Sequence, residues 1–287
     1  MSVANVNKKE EEFLSAESIE QKVDEVIELQ EVNPGRSKMK MVLGRLIILA
    51  AVLLLWQLSS GTIIDSFFIS KPTEIFFRLY QWTISGELFH HLAITMEETV
   101  LGFIIGAIAG GIVGFILGRM KTLADICEPY IMAIYSLPKV ALAPLFILWF
   151  GIEIQMKIVL AAVIVFFLVF FNTFAGVRNV DQELIDVIRL MGASERHLLQ
   201  KVVLPSALTW IFVGLKISVP YALIGAIVGE VVASNRGIGY LIQYSSSRFD
   251  TAGVFAGLFV LMIVSTLLNS LIEFYERKFM RWKNVQQ

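Results

Sequence analysis

The sequence predicts an all-α polytopic membrane protein with six transmembrane helices. Its composition is 56% hydrophobic and only 17% charged, whereas a soluble domain carries about a quarter charged residues. Apolar runs long enough to cross a hydrocarbon core recur at about residues 42–58, 92–117, 126–150, 158–174, 207–232 and 252–274. Lys and Arg are also unevenly distributed between the connections. Fourteen flank one set of span ends (Arg36, Lys38, Lys40, Arg45, Arg119, Lys121, Arg178, Arg189, Arg196, Lys201, Arg277, Lys278, Arg281 and Lys283). Five lie on the other (Lys71, Arg78, Lys157, Arg236 and Arg248). By the positive-inside rule the richer side is cytoplasmic, which puts both termini inside the cell.

Residues 1–37 precede the first span and residues 38–283 form the transmembrane domain. The net charge of −1 hides an asymmetry, because residues 1–35 hold nine acids against three bases. The segment is rich in Glu, Lys, Ser and Val and is expected to be a disordered cytoplasmic extension, with a short amphipathic helix through Ile19, Val23, Val26, Ile27 and Leu29 as the alternative. Its polar, acidic start is not that of a secretory signal peptide. Between the first two spans, Lys71-Pro72-Thr73-Glu74 has proline and an acid where a helix begins. The amphipathic stretch that follows predicts an interfacial helix on the outer side.

The second span carries Gly102, Gly106, Gly110, Gly114 and Gly118, every fourth residue. That spacing aligns them on one stripe and lets a neighbouring backbone approach closely. The third span is interrupted by Pro129, Pro138 and Pro144, each of which removes a backbone donor and can break a helix. Lys139 sits in the middle. An ionisable residue at that depth points to a functional site, and a lysine snorkelling from a helix break is the equal alternative. The fourth span is apolar all round, which suggests a helix facing lipid over much of its surface. Lys216 and Glu230 fall in or near the fifth span, and with Lys139 they are the candidates for a polar pathway. Ser234 to Tyr240 forms a glycine-punctuated turn before the sixth span.

The longest amphipathic run lies between the fourth and fifth spans, from Asp186 to Pro205. Leu184, Val187, Ile188 and Met191 recur at helical spacing with Asp186 and Arg189 among them. Gly192 then offers a sharp turn. A second short helical run passes through Leu198 and Leu199 to Val202 and Val203. Pro205 follows at the start of the next apolar segment, where proline suits a first helical turn. The reading is helix, turn, helix on the cytoplasmic surface.

Several chemistries are missing. There is no Gly-x-x-x-x-Gly-Lys-Ser/Thr loop for nucleotide phosphates and no His-Glu-x-x-His pair for zinc. There is also no Gly-x-Ser-x-Gly nucleophile elbow. Gly237-Ile238-Gly239 lacks the third glycine of a dinucleotide fingerprint. One cysteine, Cys127, excludes an internal disulfide and a multi-cysteine metal centre. The sequence does not point to an enzyme, a metal site or a nucleic-acid partner. A channel or a purely structural membrane protein would need no loop of the kind found at 186–205.

That loop resembles the EAA loop of permease subunits in bacterial ABC importers, where Glu-Ala-Ala, three residues, Gly and a Leu-Pro ending recur at fixed spacing. Asp186 stands at the Glu position, Val187 and Ile188 at the two Ala positions, and Gly192, Ala193, Leu204 and Pro205 follow in register. Ala141 to Gly151, Gly176 to Asp181, and Gly229-Glu230 with Gly237 to Leu241 are similar to signatures of the nitrate, sulfonate and taurine branch. The resemblance spans about residues 40–283. It implies a type I ABC importer permease fold whose loop at 186–205 docks into a cleft of the ATPase. It also implies two ATPase copies that bind the ATP and Mg, a second permease copy forming a homodimer, and an extracytoplasmic solute-binding protein. This chain itself would carry no cofactor and no catalytic group. The same branch includes importers of thiamine-pyrimidine precursors, riboflavin and other small heterocycles.

Overall fold

The computed structural model describes residues 34–279. Most of the acidic extension, and Arg281 and Lys283, lie outside the described residues. Helix α1, Pro34–Ser59, carries the first apolar run and belongs to a compact unit that ends at Ile63. Its stretch from Met39 to Ser59 is 21 residues long, about 30 Å at 1.5 Å per residue. Leu46, Ile47, Leu49, Leu54 and Leu55 are all exposed, as on a helix whose solvent is lipid.

The second unit begins at Ile64. Helix α2, Pro72–Ile84, starts where Pro72 and Glu74 predict. The Glu74 carboxylate accepts hydrogen bonds from Ser70 Oγ (2.8 Å) and the Lys71 amide (3.4 Å), which closes the helix start. Ile75 and Trp82 are buried, while Phe76, Phe77 and Tyr80 are exposed. The amphipathic division expected from the sequence is thus present.

Three long helices form the centre of this unit: α3 (Glu87–Arg119), α6 (Ile154–Arg178) and α9 (Leu204–Val232). The second span predicted α3 and its glycines explain how it packs. A Cβ built on Gly102 would lie 2.5 Å from Ala161 Cβ, on Gly114 2.6 Å from the Phe170 carbonyl oxygen, and on Gly118 2.7 Å from Val177 Cβ. Gly106 and Gly110 sit equally tightly over the carbonyls of Ala162 and Phe166. All five meet α6. From the other side, Gly225 of α9 approaches the Cα of Ala161 and Gly214 approaches Asn172. Such close approach matters in a bilayer, because lipid tails are as apolar as leucine and packing must drive helix association.

The fourth span therefore requires a correction. Its apolar surface was expected to meet lipid, yet α6 is the enclosed centre of the unit. Met156, Leu160, Ala161, Val165 and Val169 have no exposed surface. A helix that is apolar all round is equally suited to lipid and to a protein interior, and hydropathy alone does not separate them.

The third span is broken, as its prolines suggest. Helix α4 runs Lys121–Ser136 and helix α5 runs Ala143–Phe150, with a single 3₁₀ turn at Lys139–Leu142. The two helical stretches meet at an angle of 81°. Only Pro138 marks the break. Pro129 is carried inside α4 and Pro144 sits in the first turn of α5, where its missing N–H costs nothing. Among the described residues, five helices are long and apolar enough to cross a membrane, and the bent α4–α5 pair makes a sixth crossing if it counts as one.

After α6 come α7 (Gln182–Leu190) and the single turn α8 (Glu195–Leu198). The second loop helix was expected to stand apart from the fifth span. Instead α8 runs into α9 through a π-helical turn at Leu199–Val203, giving an unbroken helical rod from Glu195 to Val232. Pro205 lacks an N–H for the preceding turn, and widening that turn accommodates it without a break. Helix α10, Ile238–Ser247, and the last span, α11, Thr251–Phe279, complete the unit.

Candidate functional site

The loop at 186–205 is built on a firm base. Val177, Val180, Ile185, Leu198, Val202, Val203 and Ala207 form one buried cluster, joined by Phe115, Ile188, Leu199 and Ile211. It takes residues from both loop helices and from the spans they leave and enter, so α7 is packed against the ends of α6 and α9. Asp181 caps α7 by accepting a hydrogen bond from the Glu183 amide (2.9 Å), and Ser194 accepts one from the His197 amide at the start of α8 (3.4 Å).

Gly192 makes the turn. Its φ is +82°, and a Cβ there would meet nothing within 4 Å. The demand for glycine is therefore one of backbone conformation and not of space. The Gly192 amide donates to the Arg189 carbonyl (2.9 Å) and the Ala193 amide to the Ile188 carbonyl (3.2 Å). That pairing is the Schellman ending of a helix.

With Ile185 and Ile188 turned inward, α7 presents Leu184, Val187, Leu190 and Met191 outward. Leu190 is 88% and Met191 81% exposed. Asp186 lies beside them with its carboxylate two-thirds exposed, 3.9 Å from Arg189. Arg189 also pairs with Glu195 (2.9 Å), and Arg119 at the end of α3 reaches the same carboxylate (3.7 Å). The loop thus displays an apolar patch edged by charge on a stiff mount. Exposed apolar surface of this kind on a polar loop marks a protein contact. Leu204 and Pro205 begin α9 beneath it, and Ala193 lies in the turn.

The three charged pathway candidates are not brought together. Lys139 lies at the α4–α5 break, where its ammonium donates to the Tyr135 carbonyl and sits 3.9 Å above the Tyr135 ring. Lys216 projects from α9 towards α11 and pairs with Glu273 (2.8 Å) and Glu276 (3.8 Å). Glu230 is 1% exposed at the far end of α9. One carboxylate oxygen accepts from Thr95 Oγ1 and the other from the Gly239 amide, both at 2.6 Å.

The surroundings of Glu230 contain residues that the sequence reading did not single out. His91, Thr95 and Glu98 of α3 and Lys157 of α6 are all buried there. Glu98 and Lys157 are electrostatic neighbours of Glu230, and the Lys157 ammonium donates to the Ile152 carbonyl (2.6 Å). A signal was present in the sequence. Residues 91, 95, 98 and 102 share one helical face, so the glycine stripe continues outward as a polar one.

Comparisons with known proteins agree with this architecture. The model of the family described as binding-protein-dependent transport system inner membrane component matches residues 102–281. A Bacillus subtilis (strain 168) protein named for aliphatic sulfonates transport, the permease protein SsuC, is 34% identical over 88% of this chain and 91% of its own length. The riboflavin transport system permease protein RibX of Chloroflexus aurantiacus is also 34% identical, over 84% and 90%. The taurine transport system permease protein TauC of Escherichia coli K12 is 29% identical, over 87% and 92%. Among solved structures, an amino acid ABC transporter with histidines matches with a TM-score of 0.56 at 18% identity, covering 70% of this chain and 97% of that one. An inward-facing MetNI methionine ABC transporter matches at 0.54 and 19%, covering 69% and 97%. These two carry the fold, which is that of type I ABC importer permeases. With its central three-helix packing, its anchored loop and this family match, the chain belongs to the binding-protein-dependent transport system inner membrane components, the non-catalytic permease subunits of ABC importers.

Proposed function

We propose that this chain forms half of the solute pathway of an importer driven by a partner ATPase, and that α7 with its turn is where the ATPase acts. The observation that carries this is the exposed patch of Leu184, Val187, Leu190 and Met191 beside Asp186, mounted on the buried cluster that joins α6, α7, α8 and α9. A coupling element has to be stiff, accessible and attached to the spans. Gly192 and Ala193 shape its turn, while Leu204 and Pro205 lead into the rod of α9. Two ATPase copies hold the ATP and Mg, and this chain holds neither. A second copy of the chain completes the pathway, and an external solute-binding protein delivers the cargo. Both termini are cytoplasmic in this arrangement.

The cargo is a small solute of the aliphatic sulfonate, taurine or nitrate kind, supported by the relatives named for sulfonate and taurine transport. A heterocycle is the second reading, because the riboflavin-named relative is equally similar. Of the charged candidates, Lys139 is the one kept for the pathway. Lys216 is neutralised by carboxylates of α11 and Glu230 is bound into the start of α10, whereas Lys139 is held by the Tyr135 carbonyl and ring with no ion pair among the described residues.

The test is co-purification followed by reconstitution in lipid. An ATPase subunit should accompany this chain, and a loaded binding protein should stimulate ATP hydrolysis. Solute flux with no ATPase in the complex would indicate a channel instead. A thermal-shift screen of the binding protein against sulfonates, taurine, nitrate, pyrimidines and riboflavin separates the cargo readings.

A further inference from the structure

At the end of the second unit remote from α7, helix α10 is held in an unusual way. Its first amides have no partner within the helix, as at any helix start. Here three side chains from other helices satisfy them. The Gly237 amide donates to His91 Nδ1 (2.9 Å), the Ile238 amide to Thr95 Oγ1 (2.8 Å) and the Gly239 amide to Glu230 Oε2 (2.6 Å). Thr95 in turn donates its hydroxyl proton to Glu230 Oε1. His91 and Thr95 come from α3 and Glu230 from α9, so one polar clasp joins three helices. The carboxylate at the start of α10 is also favoured by the helix dipole.

The Gly-x-Gly pattern has its explanation here. A Cβ on Gly237 would collide with the Glu230 carboxyl group, and one on Gly239 would lie 2.8 Å from Glu230 Cβ and Oε2. The glycines therefore clear room for the carboxylate and have no part in binding a nucleotide.

Helix α10 is also bounded by unusual backbone at both ends. Gly237 at one end has φ +104° and Phe249 at the other has φ +58°, the only non-glycine residue with positive φ among the described residues. A bulky residue in that region is strained. Beyond it, Asp250 pairs with Arg78 of α2 (2.9 Å). Each end of α10 is thus fastened by directional polar contacts next to an unusual backbone conformation. Glu98 adds a further observation. It lies one turn deeper than Thr95 on the same face, is 1% exposed, and its side chain sits against the Glu230 carboxyl group, so the clasp continues one turn further into the fold.

We propose that His91, Thr95 and Glu230 are positioning residues that clasp the start of α10 in the state seen here, and that release of this clasp opens the outer end of the permease when a solute-binding protein docks. This rests on the importer reading. It adds a specific lock to that reading.

The experiment uses the complete transporter in lipid, with ATP hydrolysis measured with and without loaded binding protein. Thr95→Val keeps the shape of the side chain and removes the hydroxyl. Its unstimulated hydrolysis should rise several-fold, so that the ratio of stimulated to unstimulated rates falls towards one. Thr95→Ser should restore the wild-type ratio. A merely structural residue would lower the yield of complex and leave that ratio alone, and a wild-type ratio in Thr95→Val would overturn the proposal. A second arm does not depend on that variant. In a Cys127→Ser chain, Thr95→Cys with Ile238→Cys is cross-linked by oxidation. Transport should stop when the link is formed and return on reduction. Equal transport by the cross-linked and reduced forms would show that the clasp never opens and would overturn the proposal. If the wild-type complex shows no stimulation by a binding protein, the importer reading itself fails, which is a separate result.

Discussion

Gly192 is where backbone chemistry and function meet most directly. At φ +82° a residue with a side chain pays about 1–2 kcal/mol, and a β-branched residue is the least tolerant. Nothing crowds the site, so Gly192→Val should leave the spans folded and misdirect α7. The expected result is a purified complex of normal size in which binding-protein stimulation of ATP hydrolysis is largely lost. Stimulation at the wild-type level would remove this turn from the coupling scheme. Asp186→Lys belongs with it. The residue is exposed and faces Arg189, so charge reversal disturbs the partner surface more than the fold, and ATPase association should weaken. At Lys216 the structure sets a different expectation. Its ammonium holds Glu273 and Glu276 of α11, and Lys216→Met removes that charge from both, leaving Glu273 with the looser Arg277 pair at 4.0 Å. Melting of the detergent-solubilised protein should fall, and Glu273→Gln in the same chain should recover part of the loss. Additive losses would show that the pair is not coupled.

Two elements make predictions of their own. The α3–α6 contact depends on glycines that sit on backbone carbonyls, so Gly110→Leu forces a side chain into the α6 backbone at Phe166. Overpacking of this kind costs about 1–3 kcal/mol. Folded yield and melting temperature should drop well before cargo selectivity changes, and unaffected expression with normal transport would contradict the close packing. The second element is α7. Leu190 is 88% exposed, so Leu190→Ser removes almost nothing from this chain's own stability. If the residue is buried against the ATPase, about 1.5–3 kcal/mol of burial is at stake, which is roughly a tenfold or greater loss of affinity. Titration of the ATPase onto the reconstituted permease measures it directly. An unchanged affinity would place the ATPase contact elsewhere on the loop.

Across the whole molecule, the spans and the charge asymmetry define one topology. Reporter fusions after Gln57, Lys121 and Val180 should read outside, inside and inside. The structure supports the last two being on one side, since Arg119 at the end of α3 pairs with Glu195 in the loop that follows α6. A cytoplasmic signal at the first site would require a different path for the chain. The long helices also give mechanical sense to this arrangement. From Glu195 to Val232 the chain is one helical rod, with α7 packed against its first turns through the buried cluster and Glu230 near its other end. In the proposed scheme a push on α7 passes through that cluster into the rod and so to the clasp.

The sequence by itself determined the apolar runs, the glycine stripe, the broken third span and the sharp turn at Gly192. Each is a local property. Run length is matched to the bilayer, spacing to the helical period, and proline and glycine to backbone geometry, so no knowledge of neighbours is needed. Tertiary structure alone decided which helix lies at the centre, because α6 would look the same facing lipid as facing protein. It also decided that α8 continues into α9, since Pro205 reads as a start until the π turn ahead of it is seen. And it alone assembled the clasp. Thr95 and Ile238 are 143 residues apart, and a hydrogen bond between a side chain and a distant backbone amide leaves no periodic trace in either segment. Only the Gly-x-Gly pattern hinted at it, and its meaning depends on a carboxylate that the fold brings to it from another helix.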